Sequence, residues 1–277
     1  MPNAKSTYDS RLTFFTLTFL LSLPFYTLSA LAYLSIIGNP DTGYIYIALF
    51  TITPIASASI LTFRRQGNRG LKELLWKIFD FNRITRKRWY IAIFLLSPFI
   101  FLLSSMWVVL SDAMVPPTLA PLAALPAVIL FFFLLAAGEE VGWMGYAYEP
   151  LQAQGSALRA ALVLGMIWAL WHLPFFVFMM PDPFVLIPQI LSLVGIRILI
   201  VWIFNNTGKS VFAAIMFHAV DNAALVTFPK IMAVKPWGPT VYCSLVMIAA
   251  IVVILLWGHR SLARYRFTAE SKGTFRE

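Results

Sequence analysis

Two adjacent carboxylates, Glu139 and Glu140, close an apolar run that begins at Ala120 and contains Val128-Ile129-Leu130-Phe131-Phe132-Phe133-Leu134-Leu135. An acid at the centre of a membrane helix costs about 2.5–3.5 kcal/mol on an insertion scale. Acids placed there usually face a bundle interior or a water-filled cavity and mark function. Two later apolar segments carry matching polar groups. One holds His172, in Trp168-Ala169-Leu170-Trp171-His172-Leu173-Pro174. The other holds His218 and Asn222, in Phe217-His218-Ala219-Val220-Asp221-Asn222. His218 and Asn222 are four apart and share one helix face.

These groups suit hydrolysis. A carboxylate can take a proton from water as general base. Two histidines and an amide can position that water or stabilise an oxyanion. Glutamate and histidine can instead hold zinc, with His172 and His218 as ligands, and the metal would acidify the water. The competing readings are headgroup placement of both acids and a plain set of interhelical hydrogen bonds. Successive helical residues turn by about 100°, so one glutamate is expected to face the reaction centre and the other a neighbouring groove. Glu139 lies nine residues before Tyr148 and His218 nine after Lys209, both about 13 Å from one membrane edge. His172 lies thirteen after Arg159, about 20 Å in, which calls for a tilted helix or an earlier start. His259, beside Arg260 at a span end, is assigned no role. Neither His-Glu-x-x-His nor Gly-x-Ser-x-Gly occurs.

The elements that must hold these groups are membrane helices. Of 277 residues, 60% are hydrophobic and 12% charged, about half the charge of a soluble domain. Only helices and closed barrels satisfy the backbone in lipid, and these runs are apolar all round rather than alternating. The expected fold is an all-α polytopic bundle of eight spans: Leu12–Ile37, Tyr44–Phe63, Tyr90–Leu110, Ala120–Tyr146, Ala157–Met180, Phe184–Phe204, Val211–Phe228 and Val241–Trp257. Pro24, Pro54, Pro98 and Pro126 fall inside spans, where each removes a backbone donor. Without internal repeats or linkers, residues 1–277 read as one membrane domain. The run after the polar start is too long for a signal-peptide core and reads as a retained span. Cys243 is the single cysteine, so no intrachain disulfide forms.

The net charge of +9 is not a nucleic-acid signal, because the cations sit in loops. Lys5, Arg11, Arg159, Lys209 and the tail residues Arg260, Arg264, Arg266, Lys272 and Arg276 fall on one side. So do the cations of the loop Arg64–Trp89, while the other side receives Lys230 and Lys235. The positive-inside rule then makes both termini cytoplasmic, in the cell membrane. Within that loop Leu71, Leu74, Leu75, Ile78 and Phe79 form a helical apolar stripe. It reads as an amphipathic helix on the membrane surface or a short helix packed under the bundle.

At these residues the chain resembles the CPBP intramembrane endopeptidases, the family of type II CAAX prenyl proteases and bacteriocin-processing enzymes. The family motif Glu-Glu-x-x-x-Arg appears as Glu139-Glu140-Val141-Gly142-Trp143-Met144, Phe-x-x-x-His as Trp168 to His172, and His-x-x-x-Asn as His218 to Asn222. The likeness runs from about Phe131 to Leu225, within a core of roughly residues 120–228, and includes Leu151-Gln152 and Asn205-Asn206-Thr207-Gly208. It implies a glutamate-activated water attacking a peptide bond in the membrane. Glu139 would be the general base and Glu140 its support. His172 and His218 would organise water or zinc, and Asn222 would help hold the oxyanion. Prenylated C-termini, leader peptides and membrane-protein tails all fit as substrates. Trp168 replaces Phe and keeps an aromatic wall; Met144 replaces Arg and removes a charge.

That loss motivates a second reading, a weakly catalytic family member serving as scaffold or immunity factor. A third is a transporter using the acids as a proton relay, though no repeated half supports it. Glu140 and Met144 are four apart, so an arginine at 144 would face Glu140. Arg197, eight residues before Asn205 and about 12 Å deep, is the one basic residue far from a span end. It is expected to supply the missing charge, to snorkel to the headgroups, or to pair with Asp221.

Overall fold

The computed structural model describes residues 4–111, 122–228, 231, 234, 235 and 237–263. Ala120, Lys230, Arg264, Arg266, Lys272 and Arg276 lie outside them. The chain is all-helical among the described residues: α1 Ala4–Tyr33, α2 Pro40–Phe50, α3 Ile52–Trp76, α4 Trp89–Leu110, α5 Leu125–Gly142, α6 Glu149–Gln152, α7 Ala157–Met179, α8 Pro183–Asn206, α9 Val211–Thr227 and α10 Trp237–Trp257. A π-helical stretch, Trp143–Tyr148, follows α5 without a break. Among the described residues seven helices are long and apolar enough to cross a membrane, and Val211–Thr227 is a shorter apolar one. This is the polytopic helical bundle expected.

At 17 residues α9 is about 25 Å long, short for a span. It is buried on most sides and packs against α4, α5 and α8, so protein rather than lipid surrounds it. α8 is buried likewise, between α7, α10 and α9. Exposed leucines, isoleucines and phenylalanines such as Leu20, Ile91, Phe99, Leu134, Leu170 and Ile248 line the outside. The hydropathy of the chain thus serves two surfaces, a packed centre and a lipid-facing rim.

The helix of the second span is longer than the span Tyr44–Phe63 itself. It runs as α2, breaks at Thr51, and resumes as α3 to Trp76. Asn39 caps α2 with a reciprocal box to Thr42, satisfying free backbone donors. Inside α3, Gly67 has φ 64° and ψ −160°, a conformation only glycine adopts readily. The stripe expected on the membrane surface or under the bundle is split between a buried and an exposed side. Leu74 is buried, while Leu75, Trp76 and Phe79 are exposed.

Pro24 and Pro98 lie inside helices. Pro54 and Pro126 instead sit in the first turns of α3 and α5, where a missing N–H leaves no bond unmade. Pro174 and Pro188 are further helix-internal prolines.

Small residues set where α5 lies. A Cβ on Gly138 would come within 2.6 Å of the Thr51 carbonyl oxygen, and one on Gly142 within 2.6 Å of Pro54 backbone atoms. The Gly-x-x-x-Gly face therefore lets α5 touch the α2–α3 junction backbone to backbone. Ser22 on α1 shares a 2.7 Å hydrogen bond with Thr53 and accepts one of 2.8 Å from the Trp171 indole. The helices that carry the site are thus fixed to one junction.

Loops pin the starts of α7 and α9 and the end of α8. Asp80 accepts hydrogen bonds from Val211 and Phe212 N–H at 3.2 and 3.0 Å, at the start of α9. The Arg260 and His259 carbonyls accept from Ala157 and Leu158 at the start of α7. Asn205 and Asn206 amides donate to the Ser261 and Leu262 carbonyls, both at short range.

Gly142→Ala is expected to lower stability by about 1–3 kcal/mol, as overpacking does. Gly145→Ala serves as control, because its added Cβ would meet neighbours at an ordinary 3.7 Å. Thermal unfolding in detergent should show a lower midpoint for the first variant and little change for the second.

Candidate active site

Glu139 and Glu140 sit one turn from the end of α5, both buried. Glu139 Oε2 accepts a 2.7 Å hydrogen bond from the Trp168 indole of α7. Glu140 reaches two other helices. Its Oε2 accepts from Arg197 Nη1 of α8 at 2.6 Å, and its Oε1 lies 2.9 Å from His218 Nδ1 of α9. An ionised carboxylate only accepts, so Nδ1 of His218 carries a proton, and in the neutral ring Nε2 carries the lone pair. A carboxylate fixing a histidine tautomer in this way is a common device around reactive or metal-binding imidazoles.

The expectation that the two glutamates part company holds only for their neighbours. One ligand atom from each of Glu139, Glu140 and His218 lies within 4.8 Å of the others. Successive Cα–Cβ directions do diverge, but glutamate side chains are long enough to converge again.

His172 is not in that trio. It lies one turn beyond Trp168 on α7, where its Nδ1 is 2.9 Å from the Trp168 carbonyl oxygen. A carbonyl only accepts, so Nδ1 is again protonated and Nε2 carries the lone pair. The ring packs edge-on against Trp168 at 5.1 Å and stacks on Phe176 at 5.5 Å. Pro174 follows in the same helix, and the Trp171 carbonyl next to His172 accepts a 2.6 Å bond from Tyr26. Asn222 lies one turn past His218 and is half-buried.

Trp168 is the common neighbour. Its ring contacts His172 and, at 5.3 Å, His218. Arg197 stacks its guanidinium 4.2 Å from the same ring, a cation–π contact. Gly165, one turn earlier, leaves space for that arginine, since a Cβ there would stand 3.2 Å from Arg197 Cβ. Trp168 is therefore more than an aromatic wall: its N–H holds Glu139, which a phenylalanine cannot do. Only the position within the motif pointed to it; the donor role needs the fold to be seen.

Arg197 is fully buried and bonded to Glu140, so it does not snorkel. Nor does it pair with Asp221, which instead accepts from Ser97 of α4 and, at 3.4 Å, from Tyr242 of α10. Met144, in the π-helical stretch, is buried among apolar side chains. Helical geometry after Glu140 is π rather than α, a form concentrated at functional sites. Lys77 Nζ donates to the Gly145 carbonyl within it at 2.7 Å.

As arranged, the trio does not fit a zinc site. Zinc is bound by three or four protein ligands about 2.0–2.2 Å from the metal. Both Glu140 oxygens are taken by cationic or N–H donors, and a guanidinium beside a ligand opposes a second positive charge. His172 contributes no ligand atom to the trio, although it and His218 both pack edge-on against the Trp168 ring.

The fold and site define a class: a multi-pass helical membrane protein with a buried glutamate–histidine centre. Residues 120–224 match the family type II CAAX prenyl endopeptidase Rce1-like. Over 205 residues the chain is 27% identical to CAAX prenyl protease 2 of Methanococcus maripaludis, across 69% of this chain and 75% of that protein. The family match spans the same stretch as the three motifs, so the likeness to type II CAAX prenyl endopeptidases lies in the helices that carry the glutamates and histidines.

Arg197→Met should reduce peptidase activity roughly a hundredfold, the scale of a small misplacement of a reactive group. Adding Met144→Arg should restore part of it. A silent Arg197→Met, or a double variant no better than the single, contradicts the idea that Arg197 replaces the motif arginine.

Proposed function

We propose that this protein is an intramembrane endopeptidase of CAAX type, cleaving near the C-terminus of prenylated peptides or proteins with a water activated by Glu139. The observation that carries this is the division of labour between the two acids. Glu140 has both oxygens engaged, by Arg197 and His218. Glu139 has one oxygen held by Trp168, and among the described residues no hydrogen bond engages the other, which is proposed to take a water. The prenylated substrate is proposed on likeness to the Methanococcus relative, a CAAX prenyl protease.

In this mechanism a water sits between the free Glu139 oxygen and the imidazole Nε2 atoms. Glu139 takes one proton as the water oxygen bonds to the scissile carbonyl carbon. The carbonyl oxygen becomes an oxyanion, which Asn222 and a histidine can stabilise once oriented toward it. Collapse of the intermediate breaks the C–N bond, and protonated Glu139 returns its proton to the leaving amine. The Trp168 N–H keeps the glutamate pointed at the water. Arg197 balances Glu140, which fixes His218.

The reaction is proposed to run without metal, on the ligand geometry given above. The case for an inactive scaffold rested on Met144, and Arg197 brings a cation to the same carboxylate. Residues 1–277 are proposed to act as one membrane domain with both termini cytoplasmic, on the basic-loop asymmetry.

Glu139→Gln should lower the rate by about 10²–10⁴-fold, the usual contribution of a general base, with abundance unchanged. Full activity in that variant would remove Glu139 from the role. Thorough chelation should leave the wild-type rate intact, and loss restored by zinc would favour a metal mechanism. Single cysteines placed in the Arg64–Trp89 loop should react only with reagents applied from the cytoplasmic side. Labelling from outside intact cells would reverse the topology.

A further inference from the structure

A second polar feature lies apart from the glutamate–histidine centre, where the α3 helix leaves the bundle. A groove of about 550 Å³ is lined by Arg69, Lys72, Glu73, Trp76, Lys77 and Arg83. Four cations face one carboxylate there, and that carboxylate is paired with Arg69 at 3.1 Å. Beside the charges stand exposed apolar side chains: Leu75, Trp76, Phe79 and Phe81. The Trp76 and Phe79 rings are 6.0 Å apart.

The position of this groove relative to the membrane follows from length. The helical stretch Asp41–Phe79, apolar in its first part, has 39 residues. As continuous helix it would measure about 58 Å, roughly twice a hydrocarbon core. The backbone departs from the helical path at Gly67. Residues after that point therefore lie at the membrane face. Cations beside an exposed tryptophan at that level meet phosphate and acyl chain together.

We propose that this groove binds the headgroup of an anionic phospholipid, with Arg69, Lys72 and Lys77 around the phosphate and Trp76 and Phe79 against the acyl chains. Clustered basic residues on an amphipathic segment at a span end recognise anionic lipid in this way. A soluble anion would satisfy the cations but leave the aromatic side chains uncovered. Lys77 links the groove to the catalytic helices. One of its three N–H groups is spent on the Gly145 carbonyl, leaving two for a phosphate. Asp80, three residues on, holds the start of α9, the helix of His218. A bound lipid therefore braces the segment that joins the glutamate helix to the histidine helix.

The test uses purified full-length protein in phosphatidylcholine nanodiscs carrying trace spin-labelled phosphatidylglycerol or spin-labelled phosphatidylcholine. The wild type should immobilise the anionic lipid preferentially. Arg69→Gln combined with Lys72→Gln should weaken that preference by roughly twenty-five-fold, at about fivefold per surface cation. Arg69 is almost fully exposed, and the unfolding midpoint in pure phosphatidylcholine should match the wild type. Phosphatidylglycerol should raise the midpoint of the wild type more than that of the double variant. Glycerol phosphate and inorganic phosphate at millimolar concentration should fail to displace the lipid. No preference in the wild type, an equal preference in the double variant, or displacement by the soluble phosphates each overturns the proposal. None of these readouts depends on peptidase activity.

Discussion

A carboxylate and a guanidinium, Glu140 and Arg197, meet at 2.6 Å with neither side chain exposed, and the centre of the bundle depends on that contact. Each charge alone would be costly among apolar helices, so each requires the other. Their pairing ties α5 to α8. The second Glu140 oxygen ties α9 through His218, and the Arg197 guanidinium ties α7 through the Trp168 ring. Four helices are thus registered by one buried pair. Trp168 then passes the constraint to Glu139. The proposed base is held by an indole whose other face is held by the arginine that balances its neighbour.

Packing makes the pair reachable. Gly138 and Gly142 bring α5 against Thr51 and Pro54, and Gly165 brings α7 against Arg197. Interfaces of small residues permit such approach in membranes, where apolar side chains alone give helices little reason to associate. Position 144 holds methionine, and the cation beside Glu140 comes from Arg197 on α8.

Much of the architecture was legible because lipid demands long apolar runs. The expected Tyr90–Leu110 span is α4, Trp89–Leu110, and Ala157–Met180 is α7, Ala157–Met179. Arg64 and Arg65 end the apolar run of the second span but not the helix, which continues as α3 to Trp76. Polar groups stand out in apolar spans, so Glu139, Glu140, His172, His218 and Arg197 could be picked out by type. Their grouping could not. Helical rotation separates the two glutamates, while side-chain length reunites them. The π-helical turn at Trp143–Tyr148 leaves no periodic mark. Asp221 read as a partner for Arg197, and only the positions of Ser97 and Tyr242 show where its carboxylate goes.

The most direct test of the account is a double-mutant cycle on the buried pair, read as unfolding stability in detergent rather than as activity. Glu140→Gln and Arg197→Met should each destabilise the fold by about 3–5 kcal/mol, because each leaves one uncompensated charge inside the bundle. The double variant should lose far less than the sum, since neither member of the pair is left as an uncompensated charge. Additive losses, or single variants as stable as the wild type, would contradict the claim that this ion pair holds the four helices in register.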